Sequence, residues 1–243
     1  VWDSLRLSRV MEKSDFRFED LKSESISVFF CIPPERLTVY APVLRLFFGL
    51  AVSAMTRSKN KPTWPVTFFI DEFPQLGRMK PIEEGIAYLA GYGVRLWLFA
   101  QDLAQIRSVY GDMAQSIVAN SACRIFFGTS DVDTAKLVSD MCGTMTVPVQ
   151  GFGHTQQSGF NPGPGSQNQS ISFTGQPLMT PQEVMALDKE EQLIFYQGEN
   201  PVKGYKFPYF ELASFEGMYD EWDESDEQQC LTSAPMEQTS RIA

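Results

Sequence analysis

Short, continuous runs of apolar residues alternate with helix-like stretches along most of this chain, and that alternation is the strongest constraint on its fold. The runs are rich in Val, Ile and Phe, which predicts strands buried on both faces of a parallel sheet. Repeated strand–helix–strand order predicts an α/β fold with a doubly wound sheet. The predicted strands are residues 27–32, 66–70, 95–100, 123–127 and 192–196. Their phenylalanine pairs are expected in the core: Phe29, Phe30, Phe68, Phe69, Phe126 and Phe127.

Helix-like stretches fill the gaps between these strands. Several open with a start signal, since Pro42, Pro81 and Asp131 stand where proline or a capping carboxylate favours a first helical turn. The predicted helices are residues 42–57, 81–91, 103–116 and 132–141.

Two segments depart from this pattern. Residues 151–177 are dominated by Gly, Pro, Ser, Gln and Asn and contain no Asp, Glu, Lys or Arg, which predicts a flexible loop. From Glu211 onward there are nine acidic residues and one basic residue, which predicts a disordered acidic tail. We therefore expect a segment 1–20 that returns from an upstream helical domain, a nucleotide-binding domain over 21–212, and a tail over 213–243.

Composition excludes several classes of protein. Residues before Glu211 are nearly balanced in charge, so no strongly basic nucleic-acid-binding surface is expected. One histidine and four scattered cysteines exclude the usual zinc sites. The longest apolar segment, residues 43–55, is too short to span a membrane and contains Arg45, so we expect no membrane crossing within the chain.

A candidate site lies where two predicted strands end. Asp71 and Glu72 follow the strand at 66–70, and Gln101 follows the next strand. Ligands of open α/β sheets bind at the carboxyl ends of strands. There an Asp can hold a metal ion, a Glu can take a proton from water, and a Gln can orient water or sense a phosphate. A solvated strand end or a helix cap is the alternative, and Asp102 fits a cap better than Gln101 does.

Longer motifs make the likeness specific. Residues 70–78 read Ile-Asp-Glu-Phe-Pro-Gln-Leu-Gly-Arg, and residues 101–111 read Gln-Asp-Leu-Ala-Gln-Ile-Arg-Ser-Val-Tyr-Gly. Together with residues 90–95, 120–128, 133–140 and 177–184, they resemble the VirD4/TraG coupling proteins of type IV secretion. The resemblance covers about residues 26–209.

That resemblance implies a RecA-like P-loop ATPase with ATP and Mg²⁺ as ligands. Asp71 would hold Mg²⁺ through water, Glu72 would activate water, and Gln101 would read the γ-phosphate. It also implies a homo-hexamer at the cytoplasmic face of the bacterial inner membrane, anchored by segments absent from this chain. This motor would feed relaxase-linked DNA or effector proteins to secretion-channel components.

The chain departs from the family pattern in two places. It contains no Gly-Lys dipeptide and therefore no Walker A loop, so we expect an incomplete domain that is inactive alone. Ala90 stands where several family members have an arginine that acts on a neighbouring subunit. Arg95 or Arg124 would have to replace it, and each is equally plausible as an ion-pair partner.

Two rival functions follow from the same residues. One is a non-catalytic receptor that binds cargo or adaptors through the acidic tail and flexible loop. The other is a DNA translocase or helicase of the same fold, against which the family likeness of residues 180–209 argues.

Overall fold

The computed structural model describes residues 12–154 and 167–219, and it gives side-chain environments for 12–150 and 171–219. The remainder of the predicted return segment, the tip of the predicted loop and most of the acidic tail lie outside the described residues. The chain divides into two compact units, Val1–Gly204 and Tyr205–Ala243.

Helices and strands alternate along the first unit. The α-helices are α1 (Pro34–Arg57), α2 (Lys80–Gly85), α3 (Leu103–Tyr110), α4 (Met113–Asn120), α5 (Val132–Cys142) and α6 (Pro181–Met185). The strands are β1 (Val66–Ile70), β2 (Val94–Leu98), β3 (Cys123–Phe126), β4 (Thr144–His154), β5 (Gln167–Pro177), β6 (Glu191–Tyr196) and β7 (Val202–Tyr205). Short 3₁₀ helices cover Phe18–Lys22, Phe73–Leu76 and Leu89–Tyr92.

The strands form three sheets rather than one. β1 and β2 pair in parallel from Val66–Val94 to Ile70–Leu98. β3, β6 and β7 form a second sheet in which β3 pairs with β6 in antiparallel orientation. β4 and β5 form a separate antiparallel ribbon. Within the described residues, the predicted parallel pairing therefore holds for β1 and β2, whereas it is wrong for 123–127 and 192–196.

Three clusters of buried side chains hold the first unit together, the third of which packs Met55 of α1 against Val94 of β2. The first core lies between α1, the inner face of β1 and helices α2 to α4, and includes Ile70, Phe73, Leu76, Ile82, Ile106 and Tyr110. The second core packs α5 and α6 against β3 and β6, and includes Ala135, Val138, Val184, Leu193 and Phe195. Each core attaches a helix to strands that the sequence predicts.

Helix α1 is longer than predicted. It begins at Pro34, and Pro42 lies inside the helix rather than at its start. Its far end is capped by Lys22, whose buried Nζ donates to the Met55 carbonyl at 2.7 Å and to the Ser58 carbonyl at 3.0 Å. Burial lowers the pKa of Lys22.

By length and composition α1 could also cross a membrane, since it has 24 residues and a window of mean hydropathy 1.6. The apolar segment predicted over residues 43–55 is therefore shorter than the apolar helix that the structure shows. Core helices of soluble proteins meet the same criteria, and the buried face of α1 packs here against both β1 and β2.

Of the three other helix predictions, two are wrong in their bounds and one is confirmed. The predicted helix 81–91 ends at Gly85, and a 3₁₀ helix follows. The predicted helix 103–116 is interrupted at Gly111, whose φ of 57° is the left-handed geometry that glycine tolerates. The prediction over 132–141 is confirmed to within one residue by α5.

The predicted strand at 27–32 is absent, since residues 25–33 have no regular structure. An apolar run needs a neighbouring strand to pair with, and among the described residues β1 and β2 pair only with each other. Phe29 is 83% exposed, and Phe30 instead contacts the ring of Phe47 at 4.2 Å between centroids.

Alternation along the strands also corrects the phenylalanine prediction. Phe68 and Phe126 pack against the cores, whereas their neighbours Phe69 and Phe127 are exposed. Successive side chains of a strand point to opposite faces, and each of these sheets has one face that the described residues leave open.

Much of the predicted flexible loop is a paired ribbon. β4 and β5 run antiparallel from Thr144–Pro177 to His154–Gln167, eleven residue pairs in all. Backbone hydrogen bonding between the two arms orders a segment whose polar composition predicts none. The tip, residues 155–166, lies outside the described residues.

The second unit opens with aromatic residues. Two 3₁₀ helices cover Tyr209–Glu211 and Ala213–Phe215. The ring of Tyr219 lies 5.1 Å from that of Tyr209, and its hydroxyl donates to the Phe210 carbonyl at 3.0 Å. The start of the predicted acidic tail is thus tied to the residues that precede it.

Candidate functional site

The candidate site lies at the carboxyl ends of β1 and β2. Because these strands are parallel, the residues that follow them meet at one edge of the sheet. Pairing continues past the strands, since Phe99 N–H donates to the Ile70 carbonyl and Phe73 N–H donates to the Phe99 carbonyl, both at 3.1 Å. Asp71 and Glu72 are therefore held between two backbone hydrogen bonds.

Glu72 adopts a left-handed backbone conformation with φ of 45°, the only positive φ of a non-glycine residue in the part of the chain that the structure describes. This geometry costs an L-residue about 1–2 kcal/mol. The next residues anchor it, because Phe73 and Pro74 are buried at the start of a 3₁₀ helix. Strained residues persist where their surroundings over-determine them, and they cluster at functional sites.

Tyr110 supports the same turn from α3. Its ring centroid lies 5.6 Å from that of Phe73, and its hydroxyl donates to the Gly77 carbonyl at 3.4 Å. Burial raises the pKa of Tyr110, so the hydroxyl remains protonated and available as a donor.

Three glutamine amides surround the Glu72 carboxylate. Gln101 Nε2 donates to Glu72 Oε1 at 3.2 Å. Gln75 Nε2 and Gln105 Nε2 donate to Glu72 Oε2 at 3.3 and 3.4 Å. All three donors are neutral, and no ion pair to this carboxylate is found within residues 12–154 and 167–219.

Asp71 is exposed beside this cluster. Its Oδ1 accepts a hydrogen bond from the Glu72 N–H at 3.1 Å, and the residue as a whole is exposed to solvent. Mg²⁺ in nucleotide sites is held by one or two carboxylates, waters and phosphate oxygens, so a single open carboxylate fits it. Among residues 12–154 and 167–219 no group of three metal-binding side chains exists, so an all-protein metal cage is not available there.

Asp102 has the capping role that the sequence suggests. Its Oδ1 accepts from the Gln105 N–H at 2.7 Å at the start of α3. Gln105 in turn accepts the Gln101 N–H on its Oε1 at 3.3 Å. The cap thereby fixes where both glutamines stand relative to Glu72.

The two candidate arginines lie away from this cluster. Arg95 is the second residue of β2, far from its carboxyl end, and its side chain is exposed. Arg124 is half-buried on β3, and its Nε has no hydrogen-bond partner in the described structure. The structure thus brings Asp71, Glu72 and Gln101 together and leaves both arginines outside.

Sequence reasoning misses Gln75 and Gln105. A signal for each exists in the spacing, because Gln75 lies three residues after Glu72 and Gln105 four residues after Gln101. These are the separations that bring side chains together in one helical turn.

Comparison with known proteins identifies the family of this chain. The family described as type IV secretory system conjugative DNA transfer matches residues 2–238. This chain belongs to that family. Protein VirD4 of Agrobacterium fabrum is 30% identical over 213 residues, which are 86% of this chain and 31% of the relative. The type IV secretion system-coupling protein VirD4 of Bartonella quintana is 30% identical over 81% of this chain and 30% of its own length.

Solved structures of another coupling protein share the fold of this family member. The unbound conjugative coupling protein TrwBΔN70 superposes with a TM-score of 0.66 at 17% identity, covering 81% of this chain and 44% of that one. TrwB in complex with ADP and Mg²⁺ gives 0.65 at 16% identity, with 85% and 46% covered. The predicted RecA-like α/β fold class is confirmed by this likeness. The chain spans about a third of the length of the curated relatives that it matches.

Proposed function

We propose that this chain carries the Walker B side of the ATPase site of a type IV coupling protein. The observation that supports this most strongly is the carboxylate of Glu72, oriented by three amides at the carboxyl end of β1. Asp71 beside it and Gln101 across from it complete the arrangement that the family likeness implies. Complexes of TrwB with ADP and Mg²⁺ and with a non-hydrolysable ATP analogue agree with ATP as the ligand.

In this proposal Glu72 acts as the general base. The oxygen of an attacking water bonds to the terminal phosphorus, and the bond from that phosphorus to the β–γ bridging oxygen breaks. The water proton passes to the Glu72 carboxylate, and phosphate and ADP leave. Asp71 would hold Mg²⁺, which when bound neutralises charge on the phosphates.

The partners of the whole protein form a further part of the proposal. The chain would work within a longer polypeptide that supplies the Walker A loop and a membrane anchor, and that assembles as a hexamer. The hexamer would feed relaxase-linked DNA or effector proteins into the secretion channel. For an arginine acting on a neighbouring subunit, exposure favours Arg95 over the half-buried Arg124.

The test is Glu72→Gln in the full-length gene product. The amide keeps the shape of the side chain but cannot accept the water proton, so turnover should fall by about 10²- to 10⁴-fold while nucleotide binding persists. Asp71→Ala should weaken Mg²⁺-dependent binding as well. Glu84→Gln, an exposed position on α2, is the matched control. Turnover close to wild type in Glu72→Gln would remove Glu72 from the mechanism.

The isolated 243-residue chain should not hydrolyse ATP, because it lacks the Walker A backbone and lysine that cradle phosphates. Calorimetry with ATP and Mg²⁺ should give weak binding or none. Metal-dependent turnover that co-purifies with this chain would contradict the assignment.

A second candidate function is cargo recruitment through the acidic tail. Seven acidic residues lie between Glu216 and Glu227, together with Tyr219 and Trp222. Exposed charge attraction is screened over about 8 Å at physiological ionic strength, so binding of a basic cargo should weaken with salt. Deleting residues 220–243 keeps the Tyr219–Tyr209 contact. It should leave the melting temperature unchanged and abolish the salt-sensitive binding, whereas unchanged affinity would leave only a solubilising tail.

A further inference from the structure

The three amides at the site divide unequally between the two oxygens of Glu72. Oε2 accepts from Gln75 and Gln105, while Oε1 accepts from Gln101 alone. We propose that Gln105 is a positioning residue that fixes Oε2, so that Gln101 can leave Oε1 for the terminal phosphate without releasing the base. This inference rests on the proposed function of Glu72.

Gln105 is suited to the fixed role because both ends of its amide are engaged. Its Oε1 accepts the Gln101 N–H at 3.3 Å, so its Nε2 is the atom that faces Glu72. Its own N–H is tied to Asp102 at 2.7 Å. The side chain is half-buried on α3, whereas Gln101 and Gln75 are exposed.

Gln101 is suited to the exchangeable role. Its backbone is held through Gln105, but its exposed side chain meets the site through one bond, to Glu72 Oε1. If that amide turns to a phosphate oxygen, Oε1 loses its donor while Oε2 keeps two. The freed Oε1 can then accept the proton of the attacking water. Reading the phosphate and freeing the base become one movement of one side chain.

A plain helix-capping role for Gln105 makes a different prediction. A glutamine or glutamate at the third helical position commonly accepts a backbone N–H near the helix start. Gln105→Glu preserves that acceptor for the Gln101 N–H but removes the donor to Glu72 and sets a second carboxylate against it. The substitution therefore separates positioning of the base from capping of α3.

The experiment is steady-state ATP hydrolysis by the full-length gene product carrying Gln105→Glu. We expect kcat to fall about 10- to 100-fold, as misplacement of a catalytic group does. The KM for ATP should stay within about twofold, because binding of the phosphates does not use Glu72. The melting temperature should not fall. Gln115→Glu, the same change at an exposed position on α4, should alter none of the three.

Two results would overturn the inference. One is a kcat like that of wild type in Gln105→Glu while Glu72→Gln is inactive, which leaves the proposed function standing. The other is a loss of kcat in Gln105→Glu that comes with a melting temperature clearly below that of wild type, because disruption of the start of α3 would then be the cause. Activity in Glu72→Gln would instead refute the proposed function itself.

Discussion

The β1–β2 pair and the β4–β5 ribbon are both two-stranded, but the first is short and parallel and the second is long and antiparallel. The pair has five residues per strand, and the two last residues of β1 differ sharply, with Ile70 8% exposed and Phe69 69% exposed. The ribbon has eleven residues per strand, more than twice the pairing, yet Phe173 and Ile171 on it are 73% and 62% exposed. Backbone pairing alone therefore does not distinguish a structural centre from a peripheral element.

Burial marks the difference between them. The inner face of β1 and β2 packs on α1 and on the turn after Glu72, so the site residues follow strands that are held in place by buried side chains. Burial of apolar surface is the dominant favourable contribution to folding, whereas a hydrogen bond exchanged with water adds little. We therefore expect mutations near β1 to affect both stability and turnover, and mutations in the ribbon to affect neither strongly.

Phe73→Ala against Phe173→Ala should show the largest contrast. Phe73 is 1% exposed and packs on Tyr110, so truncation should cost about 3–5 kcal/mol through lost burial and a cavity. Phe173→Ala should change the free energy of unfolding by less than about 0.5 kcal/mol. Urea unfolding of both variants measures this, and a similar cost at Phe173 would show that the ribbon is packed in solution.

Shortening the ribbon should have a smaller effect. Replacing residues 151–170 by Asn-Gly joins Gln150 to Ile171, which already face each other, through a favoured two-residue turn. The free energy of unfolding should change by less than about 1 kcal/mol, since loop-closure entropy depends weakly on length. A collapse of the melting temperature in this variant would make the ribbon part of the folding unit.

Glu72→Gly should stabilise the site region slightly. Glycine adopts a φ of 45° without steric cost, although its freedom in the unfolded chain offsets part of the gain, so a net increase below about 1 kcal/mol is expected. Glu84→Gly, within a regular helix, should change stability in the opposite direction. A melting temperature lowered by Glu72→Gly would mean that the amide cluster outweighs the backbone strain.

A loss of stability at low pH should come from residues outside the ribbon, because the ribbon has no Asp, Glu, Lys or Arg from Thr144 to Pro177. Hydrogen bonds from the Thr134 hydroxyl and N–H lower the pKa of Asp131 at the start of α5. Because the pKa of Asp131 is lower in the folded state, its ionised form stabilises the fold above about pH 4, the ordinary pKa of an aspartate. That stability is lost as the pH falls below this value and through the folded-state pKa.

Asp131→Asn should therefore lower the melting temperature at pH 7 by more than it does at pH 3. Asp140→Asn, an exposed change in the same helix, is the control and should show no such convergence. If the melting temperatures of wild type and Asp131→Asn differed by the same amount at every pH, Asp131 would not contribute to the loss of stability in acid.

Local patterns predict much of the fold and part of the site. Strands β1, β2, β3 and β6 and helix α5 follow from apolar runs and capping residues, since these signals lie within a few neighbouring positions. The predicted strand at 27–32 is wrong and the β4–β5 ribbon is not predicted, both for the same reason. Whether an extended segment becomes a strand depends on a partner that can be far away in sequence.

The sequence by itself determined the α/β class, the family motifs and the placement of Asp71, Glu72 and Gln101 after strands. Only the tertiary structure decided that β3 and β6 are antiparallel and that α1 extends across Pro42. It also decided that Gln75 and Gln105 reach the same carboxylate oxygen of Glu72, a residue whose backbone is left-handed. A side chain's neighbours across 33 positions are set by how elements pack, and packing is a property of the whole chain.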